Sequence, residues 1–195
     1  MARIKKLNLF IIIGFIQIYD SFEGQIAKIL LKVTVIKSYF IPKIFKMIQL
    51  QQTNSENADF RKLVQDLDKY LAVCDGDEHG FYDQFNKLDQ LDHVIVAYAE
   101  NVPVGCGAFK KFGSDSVEIK RMYVKPEYRN QGLASMILRE LENWAESLGF
   151  AEIYLETGKR QTEAVAFYHK LAYQVIPNYP PYENMENSLC FQKKF

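Results

Sequence analysis

Residues 117–134 read VEIKRMYVKPEYRNQGLA, and this stretch decides the fold of the chain. Its first part, up to Val124, is rich in β-branched and aromatic residues, which favours a strand. Pro126 ends that strand, and after a turn the apolar residues recur at three- and four-residue steps as far as Gly149, a natural helix stop. The sequence therefore predicts a strand, a glycine-containing turn and a long amphipathic helix in direct succession.

The turn contains the pattern Arg129-x-x-Gly132-x-Ala134. A helix start leaves backbone N–H groups without partners, and the helix dipole favours negative charge there. Glycine removes the Cβ that would keep a phosphate from the backbone, and Arg129 adds a charged donor. The turn is therefore suited to a pyrophosphate, although one glycine at a helix start is also typical of plain helix initiation.

Two other kinds of phosphate site are disfavoured by the sequence. The chain has no G-x-x-x-x-G-K-[ST] pattern, which a Walker-type nucleotide site requires. It has no G-x-G-x-x-G after an early strand, which a dinucleotide-binding fold requires.

Outward from this stretch, periodicity predicts one α/β domain over 47–195 with the order β-α-α-β-β-β-α-β-α-β-β. The turn of the first hairpin is expected at Glu100 to Pro103. The predicted strands are Ile48 to Gln52, His93 to Ala99, Val104 to Phe112, Val117 to Val124, Ala151 to Glu156, Tyr173 to Ile176 and Ser188 to Gln192. The predicted helices run from Asn57 or Asp59 to Val73, from Phe81 to Leu88, from Leu133 to Leu148 and from Thr162 to Leu171.

Charge and cysteine content exclude several classes of protein. The chain is 48% hydrophobic and 25% charged, as expected of a globular protein. Residues 47–195 carry sixteen Lys or Arg against twenty-two acidic residues, so this part offers no basic surface for nucleic acid. Cys74, Cys106 and Cys190 are far apart and odd in number, which argues against a disulfide framework or a zinc site and for a reducing cytoplasm.

Residues 1–46 do not resemble the rest. They carry eight Lys or Arg against two acidic residues, and their longest uncharged run, Leu7 to Tyr19, is shorter than the roughly 20 residues of a membrane-spanning helix. Three interpretations stay open: a membrane-associating extension, a degraded export signal, or sequence translated upstream of a true start at Met47. We favour the third, because a complete first strand follows Met47 directly, and we expect no stable membrane association.

The stretch 117–134 resembles the acetyl-CoA motif of the GNAT superfamily of N-acetyltransferases, whose signature at this place is R/Q-x-x-G-x-G/A. The resemblance spans about Met47 to Phe195 and none of residues 1–46. Downstream it is carried by Leu155-Glu156-Thr157-Gly158, Glu163-Ala164, Phe167-Tyr168 and Tyr173.

The resemblance implies a mixed, mostly antiparallel sheet of about seven strands, flanked by helices and splayed between the fourth and fifth strands. It implies acetyl-CoA as cosubstrate and no metal. The pantetheine arm would lie along the backbone of Met122, Tyr123 and Val124, with a backbone N–H at or beside Met122 polarising the thioester carbonyl. The pyrophosphate would be held by Arg129, Asn130, Gln131, Gly132, Leu133 and Ala134.

For the chemistry, the resemblance suggests Tyr168 as the general acid that protonates the departing thiolate, and Glu118 as the base that deprotonates the amine. Tyr168 has the alternative of packing beside Phe167 in the core. Glu118 is equally well explained as an exposed strand residue. One departure from the family pattern is Ala172, where a glycine usually ends the helix; alanine there would carry strain of about 1 kcal/mol.

The predicted function is therefore acetylation of a primary amine, of a small molecule, by a cytoplasmic enzyme. The alternative from another class is a GNAT-like domain that binds acyl-CoA as a sensor without turnover. The acidic loop at 75–78 and the loop at 178–184 are candidates for the rim of the acceptor site, and the second loop leaves a homodimer contact open. The sequence does not identify the amine.

Overall fold

The computed structural model describes residues 47–85, 87–88 and 91–195. The hypotheses about residues 1–46 lie outside these residues and stay predictions. In chain order the elements are β1 (Ile48–Thr53), α1 (Ala58–Asp75), α2 (His79–Asp83), β2 (His93–Ala99), β3 (Val102–Lys111), β4 (Ser116–Val124), α3 (Leu133–Ser147), β5 (Glu152–Gly158), α4 (Thr162–Lys170), β6 (Gln174–Ile176) and β7 (Ser188–Lys194).

The seven strands form one sheet in the order β1-β2-β3-β4-β5-β7-β6. Neighbouring strands are antiparallel except β4 and β5, which run parallel and are connected through α3. The predicted class, a mixed and mostly antiparallel sheet of seven strands flanked by helices, is confirmed.

Helices cover both faces of the sheet, because alternate residues of each strand point to opposite sides. In β2, Val94 and Val96 pack with α1, whereas Ile95 and Ala97 pack with α3. Leu141 of α3 is fully buried in the cluster that contains Ile95 and Ala97. Burial of one such side chain is worth about 1.5–3 kcal/mol, so these two layers hold β2, β3 and β4 in place.

The start of α1 is fixed by its cap. The side-chain oxygen of Asn57 accepts hydrogen bonds from the N–H groups of Asp59 and Phe60, both at 2.9 Å. Asn57, rather than Asp59, is therefore the N-cap. At the other end, Gly76 adopts a positive φ of 55° and breaks the helix, and α2 begins at His79 after one 3-10 turn. The predicted second helix thus starts earlier than Phe81 and ends at Asp83.

The first hairpin turn is shorter than predicted. Glu100 and Asn101 alone form it, with φ values of 51° and 66°, the backbone of a two-residue type I′ turn. Val102 and Pro103, expected in the turn, already belong to β3, and Pro103 pairs with Tyr98 where the register shifts. The expectation was wrong because Glu is unusual at a position that requires a positive φ.

Ala172 ends α4 in the left-handed conformation, with φ 66°. Its N–H donates to the carbonyl of His169, and the N–H of Tyr173 donates to the carbonyl of Tyr168. The helix therefore terminates as the family pattern requires, but with alanine where glycine would be unstrained.

Candidate active site

A β-bulge distorts the centre of β4. Cys106 of β3 pairs with Tyr123 and Ala108 pairs with Lys120, so Gly107 alone stands opposite the two residues Arg121 and Met122. Arg121 has φ 59°, the left-handed conformation of a bulge residue. A Cβ on Gly107 would lie 2.4 Å from the sulfur of Met122, so a side chain there would displace the Met122 side chain.

β4 and β5 separate after Glu118, just before the bulge. Their ladder is limited to three pairs, in which Ser116, Val117 and Glu118 face residues 152–154. In the part of the chain that the structure describes, residues 119–124 and 155–158 have no strand partner across this gap. The predicted splay between the fourth and fifth strands is confirmed, and it leaves backbone N–H and C=O groups of β4 open to a ligand.

A pocket of about 110 Å³ opens at the gap. We call it the β4–β5 pocket. It is lined by residues from both strands, from the helices α1, α2 and α4, and from the loops before α4 and β7: Leu67, Leu71, Asp75, Tyr82, Ile119, Lys120, Arg121, Met122, Glu156, Thr157, Gly158, Gln161, Ala164, Tyr168 and Tyr182.

Tyr168 is both a core residue and a pocket residue. Its ring lies 5.6 Å from that of Tyr173 and 5.8 Å from that of Phe191, and only 6% of the residue is exposed. Among the described residues, its hydroxyl has no hydrogen-bond partner. Burial, and next the nearby Glu156 carboxylate, raise the pKa of Tyr168 well above its ordinary value, so the phenol stays protonated.

Glu118 is 3% exposed and is not among the residues that line the pocket. Its carboxylate lies 3.2 Å from the ammonium of Lys110 and 3.5 Å from that of Lys120, and it accepts a hydrogen bond of 3.1 Å from Tyr179. Two cations and a phenol thus surround this carboxylate, so the interpretation of Glu118 as an exposed strand residue was wrong.

Glu156 is a titratable pocket residue to which the sequence analysis gave no catalytic role. It accepts a hydrogen bond of 2.7 Å from Ser188, whose hydroxyl lies 3.0 Å from that of Tyr82. Burial raises the pKa of Glu156 to about 7, and the Ser188 hydrogen bond opposes this rise. A carboxyl group with such a pKa exchanges a proton readily near neutral pH. In the sequence, Glu156 is one glutamate near the end of a predicted strand, as Glu118 is one glutamate in another. The sequence alone did not show which of the two enters the pocket.

The glycine turn, residues 129–134, connects the end of β4 to α3. Gly132 has φ 82° and Asn130 has φ 59°. No atom would come within 4 Å of a Cβ on Gly132, so the glycine is required by its backbone conformation and the space before it is open. The first helical hydrogen bond is donated by Met136 to the Gly132 carbonyl, and the N–H groups of residues 130–135 have no backbone acceptor among the described residues. Such a row of N–H groups at a helix start fits a phosphate.

Arg129 fixes this turn to the strand. Its Nε donates to the carbonyl of Val124 at 3.0 Å, and its guanidinium lies 5.3 Å from the ring centre of Tyr70. Since Val124 belongs to the open edge of β4, the arginine joins the predicted pantetheine edge and the predicted pyrophosphate turn into one continuous surface.

Neither a metal site nor a membrane-spanning helix is found among the described residues. No group of three His, Cys, Asp or Glu side chains is arranged to hold a metal ion there. Within the same residues, the helices are too short or too polar to cross a membrane.

The sequence matches a known protein family. A sequence model described as the acetyltransferase (GNAT) family matches residues 54–173. The chain belongs to this family. The match covers β2 to β5, the glycine turn and Tyr168, and family membership establishes the reaction class, acyl transfer from acetyl-CoA.

Relatives of this acetyltransferase are found among curated proteins. A protein named IAA acetyltransferase from Azospirillum brasilense is 29% identical over 134 residues, covering 68% of this chain and 88% of its own. The uncharacterized protein YyaT of Bacillus subtilis is 35% identical over 104 residues, covering 53% of this chain and 65% of its own.

Solved structures share the acetyltransferase fold. A protein described as an acyl-CoA N-acyltransferase from Klebsiella pneumoniae is 26% identical, with a TM-score of 0.65 over 77% of this chain and 99% of that one. The PaiA N-acetyltransferase of Thermoplasma acidophilum, solved in complex with coenzyme A, has a TM-score of 0.58 at 17% identity, covering 76% of this chain and 99% of that one. The second likeness shows the fold alone.

Proposed function

We propose that this protein transfers the acetyl group of acetyl-CoA to a primary amine of a small molecule by direct attack of the amine on the thioester. The observation that carries the proposal is that Glu156 and Tyr168 line the same pocket at the splayed end of β4 and β5. The amine nitrogen forms the new C–N bond and the C–S bond breaks. Glu156 accepts the proton that the amine loses, and Tyr168 donates a proton to the departing thiolate.

The choice of Glu156 as base is supported by its charge state and its surroundings. A base must accept a proton near the working pH, and burial brings the pKa of Glu156 to about 7. The carboxylate of Glu118 is instead held in ion pairs with Lys110 and Lys120, and Glu118 is not among the residues that line the pocket. Glu118 is the alternative base that the experiment below tests.

The role of Tyr168 as acid is supported by the raised pKa of its own hydroxyl. Burial and the Glu156 carboxylate both favour its neutral phenol, which keeps the proton available until a thiolate appears beside it. The two groups thus have different roles. The carboxyl group of Glu156 loses its proton near pH 7, whereas the phenol of Tyr168 is still protonated when the thiolate departs.

Acetyl-CoA is proposed to bind along the open edge of β4 and across the glycine turn. Backbone groups of Met122, Tyr123 and Val124 would pair with the pantetheine arm as an added strand does. The bulge at Arg121 and Met122 aims the Met122 N–H differently from a regular ladder, which suits a donor to the thioester carbonyl. The pyrophosphate would accept from N–H groups of residues 130–134, beside Arg129.

Two further parts of the proposal concern the acceptor and the location. A small acceptor is supported by the burial of the pocket residues Tyr168 and Tyr182, which are 6% and 3% exposed. A cytoplasmic location is supported by Cys106 and Cys190, which are free and buried thiols.

The test is release of free CoA thiol by the full-length protein across a panel of primary amines. Glu156→Gln is expected to lower kcat by about 100- to 10,000-fold, the usual contribution of a general base. Glu118→Gln is the matched control. If Glu118→Gln abolishes turnover while Glu156→Gln retains it, the base is Glu118. If acetyl-CoA binds but no amine gives thiol release, the protein is an acyl-CoA sensor.

A further inference from the structure

Asp75, the last residue of α1, presents a buried carboxylate to the β4–β5 pocket. The residue is 4% exposed and lines the pocket together with Glu156. Among the described residues, no hydrogen bond to its carboxylate is formed. Nδ1 of His79 lies 3.6 Å from one carboxylate oxygen, too far for a hydrogen bond. A buried carboxylate with so little compensation is costly unless a ligand supplies a donor.

Apart from His79, the cations around the pocket are already engaged with other carboxylates. Arg121 lies 2.7 Å from Asp68, and Lys120 lies 3.5 Å from Glu118. Arg160 lies 3.2 Å from Glu78 and reaches only the backbone carbonyl of Asp75. The carboxylates that pair with these cations do not line the pocket, whereas Asp75 and Glu156 do.

Aromatic side chains complete this end of the pocket. The rings of Tyr82 and Tyr182 stack with their centres 6.5 Å apart and an angle of 21°, and both residues line the pocket. Such rings pack against methylene groups and attract cations, and the ammonium of Lys120 already lies 5.5 Å from the centre of the Tyr182 ring. The wall beside the two carboxylates therefore suits an aliphatic chain that ends in an ammonium group.

We propose that the acceptor is a diamine: its neutral amino group is acetylated beside Glu156, while its second amino group, as an ammonium, binds the carboxylate of Asp75. This inference rests on the proposed function and names the substrate class for the same site. The bound ammonium supplies the donors that the buried carboxylate lacks, and Asp75 is then a specificity-determining residue rather than a catalytic one.

The experiment compares acceptors of matched length with the full-length protein. The diamines are 1,3-diaminopropane and 1,4-diaminobutane, the monoamines are propylamine and butylamine, and 4-aminobutanoate carries a carboxylate in place of the second amine. We expect kcat/KM for the diamines to exceed that for the monoamines by about 10- to 100-fold, with 4-aminobutanoate the poorest acceptor. Asp75→Asn should remove most of this preference, because kcat/KM should fall much further for the diamines than for the monoamines.

The control variant is Asp77→Asn, which removes an exposed carboxylate two residues away that does not line the pocket. It should keep the preference for diamines. Equal kcat/KM for diamines and monoamines, or an equal loss for both in Asp75→Asn, would overturn the inference while the acetyltransferase proposal stands.

A binding measurement keeps the two proposals distinct. If no amine is acetylated, the proposed function fails, and calorimetry of 1,4-diaminobutane with the CoA-loaded protein still decides the inference. Binding that is tighter than that of butylamine and is lost in Asp75→Asn supports it. Equal binding of the two amines overturns it.

Discussion

The glycine turn and the β4–β5 pocket lie at opposite ends of one proposed substrate and are built in different ways. The turn consists of six consecutive residues, 129–134, and its ligand groups are backbone N–H groups aimed by the φ of Gly132. The pocket collects side chains from positions as distant along the chain as Leu67 and Tyr182. A site made from the backbone of one segment produces a local sequence pattern, whereas a site assembled from distant side chains depends on the register of the sheet.

The largest effect that separates the two regions is expected from Tyr168→Phe. Because the hydroxyl has no partner among the described residues, its removal should leave the fold and CoA affinity nearly unchanged. If it donates the proton to the leaving thiolate, kcat should fall by about 100-fold. Steady-state assays of thiol release measure kcat, and calorimetry measures the affinity for CoA. An unchanged kcat would return Tyr168 to a packing role.

A change in the glycine turn should instead alter the Kd for CoA. In Gly132→Ala the new side chain must adopt φ 82°, which costs about 1–2 kcal/mol, and relaxation of the turn would misdirect its N–H groups. We expect the Kd for CoA to rise about 5- to 30-fold while kcat at saturating acetyl-CoA changes little.

Gly149→Ala is the matched control, because Gly149 has nearly the same conformation, φ 86°, at the far end of α3. It should reduce stability by a similar free energy and leave the Kd for CoA unchanged. If Gly149→Ala weakens CoA binding as much as Gly132→Ala does, the effect is general destabilisation and the turn has no special role.

The contrast explains how much could be predicted from sequence. Strand and helix periodicity predicted every element, and the pattern around Gly132 predicted the turn, because both depend on neighbouring residues. The first hairpin was misjudged since Glu100 carries no turn signal, although it adopts φ 51°. Glu156 was missed for a different reason: its burial and its Ser188 partner come from the pairing of β5 with β7, which no local pattern encodes.

The smallest expected effect tests that non-local pairing directly. Ser188, the first residue of β7, donates to the Glu156 carboxylate and thereby stabilises its ionised form. Ser188→Ala should therefore raise the pKa of Glu156 further, by about one unit. A base acts in its ionised form, so activity is lost as pH falls through this pKa. The acidic limb of kcat/KM should move to higher pH, and kcat/KM at pH 7 should fall about fivefold.

The pH profile distinguishes this effect from simple damage to the fold. At pH 9, Glu156 is largely ionised in both proteins, so Ser188→Ala and the unaltered protein should differ by less than about twofold. Ser188→Thr keeps a hydroxyl at the same Cβ and should restore the original limb. A loss of activity that is equal at pH 7 and pH 9 would mean that Ser188 only packs the strand, and the pocket's chemistry would then depend on burial of Glu156 alone.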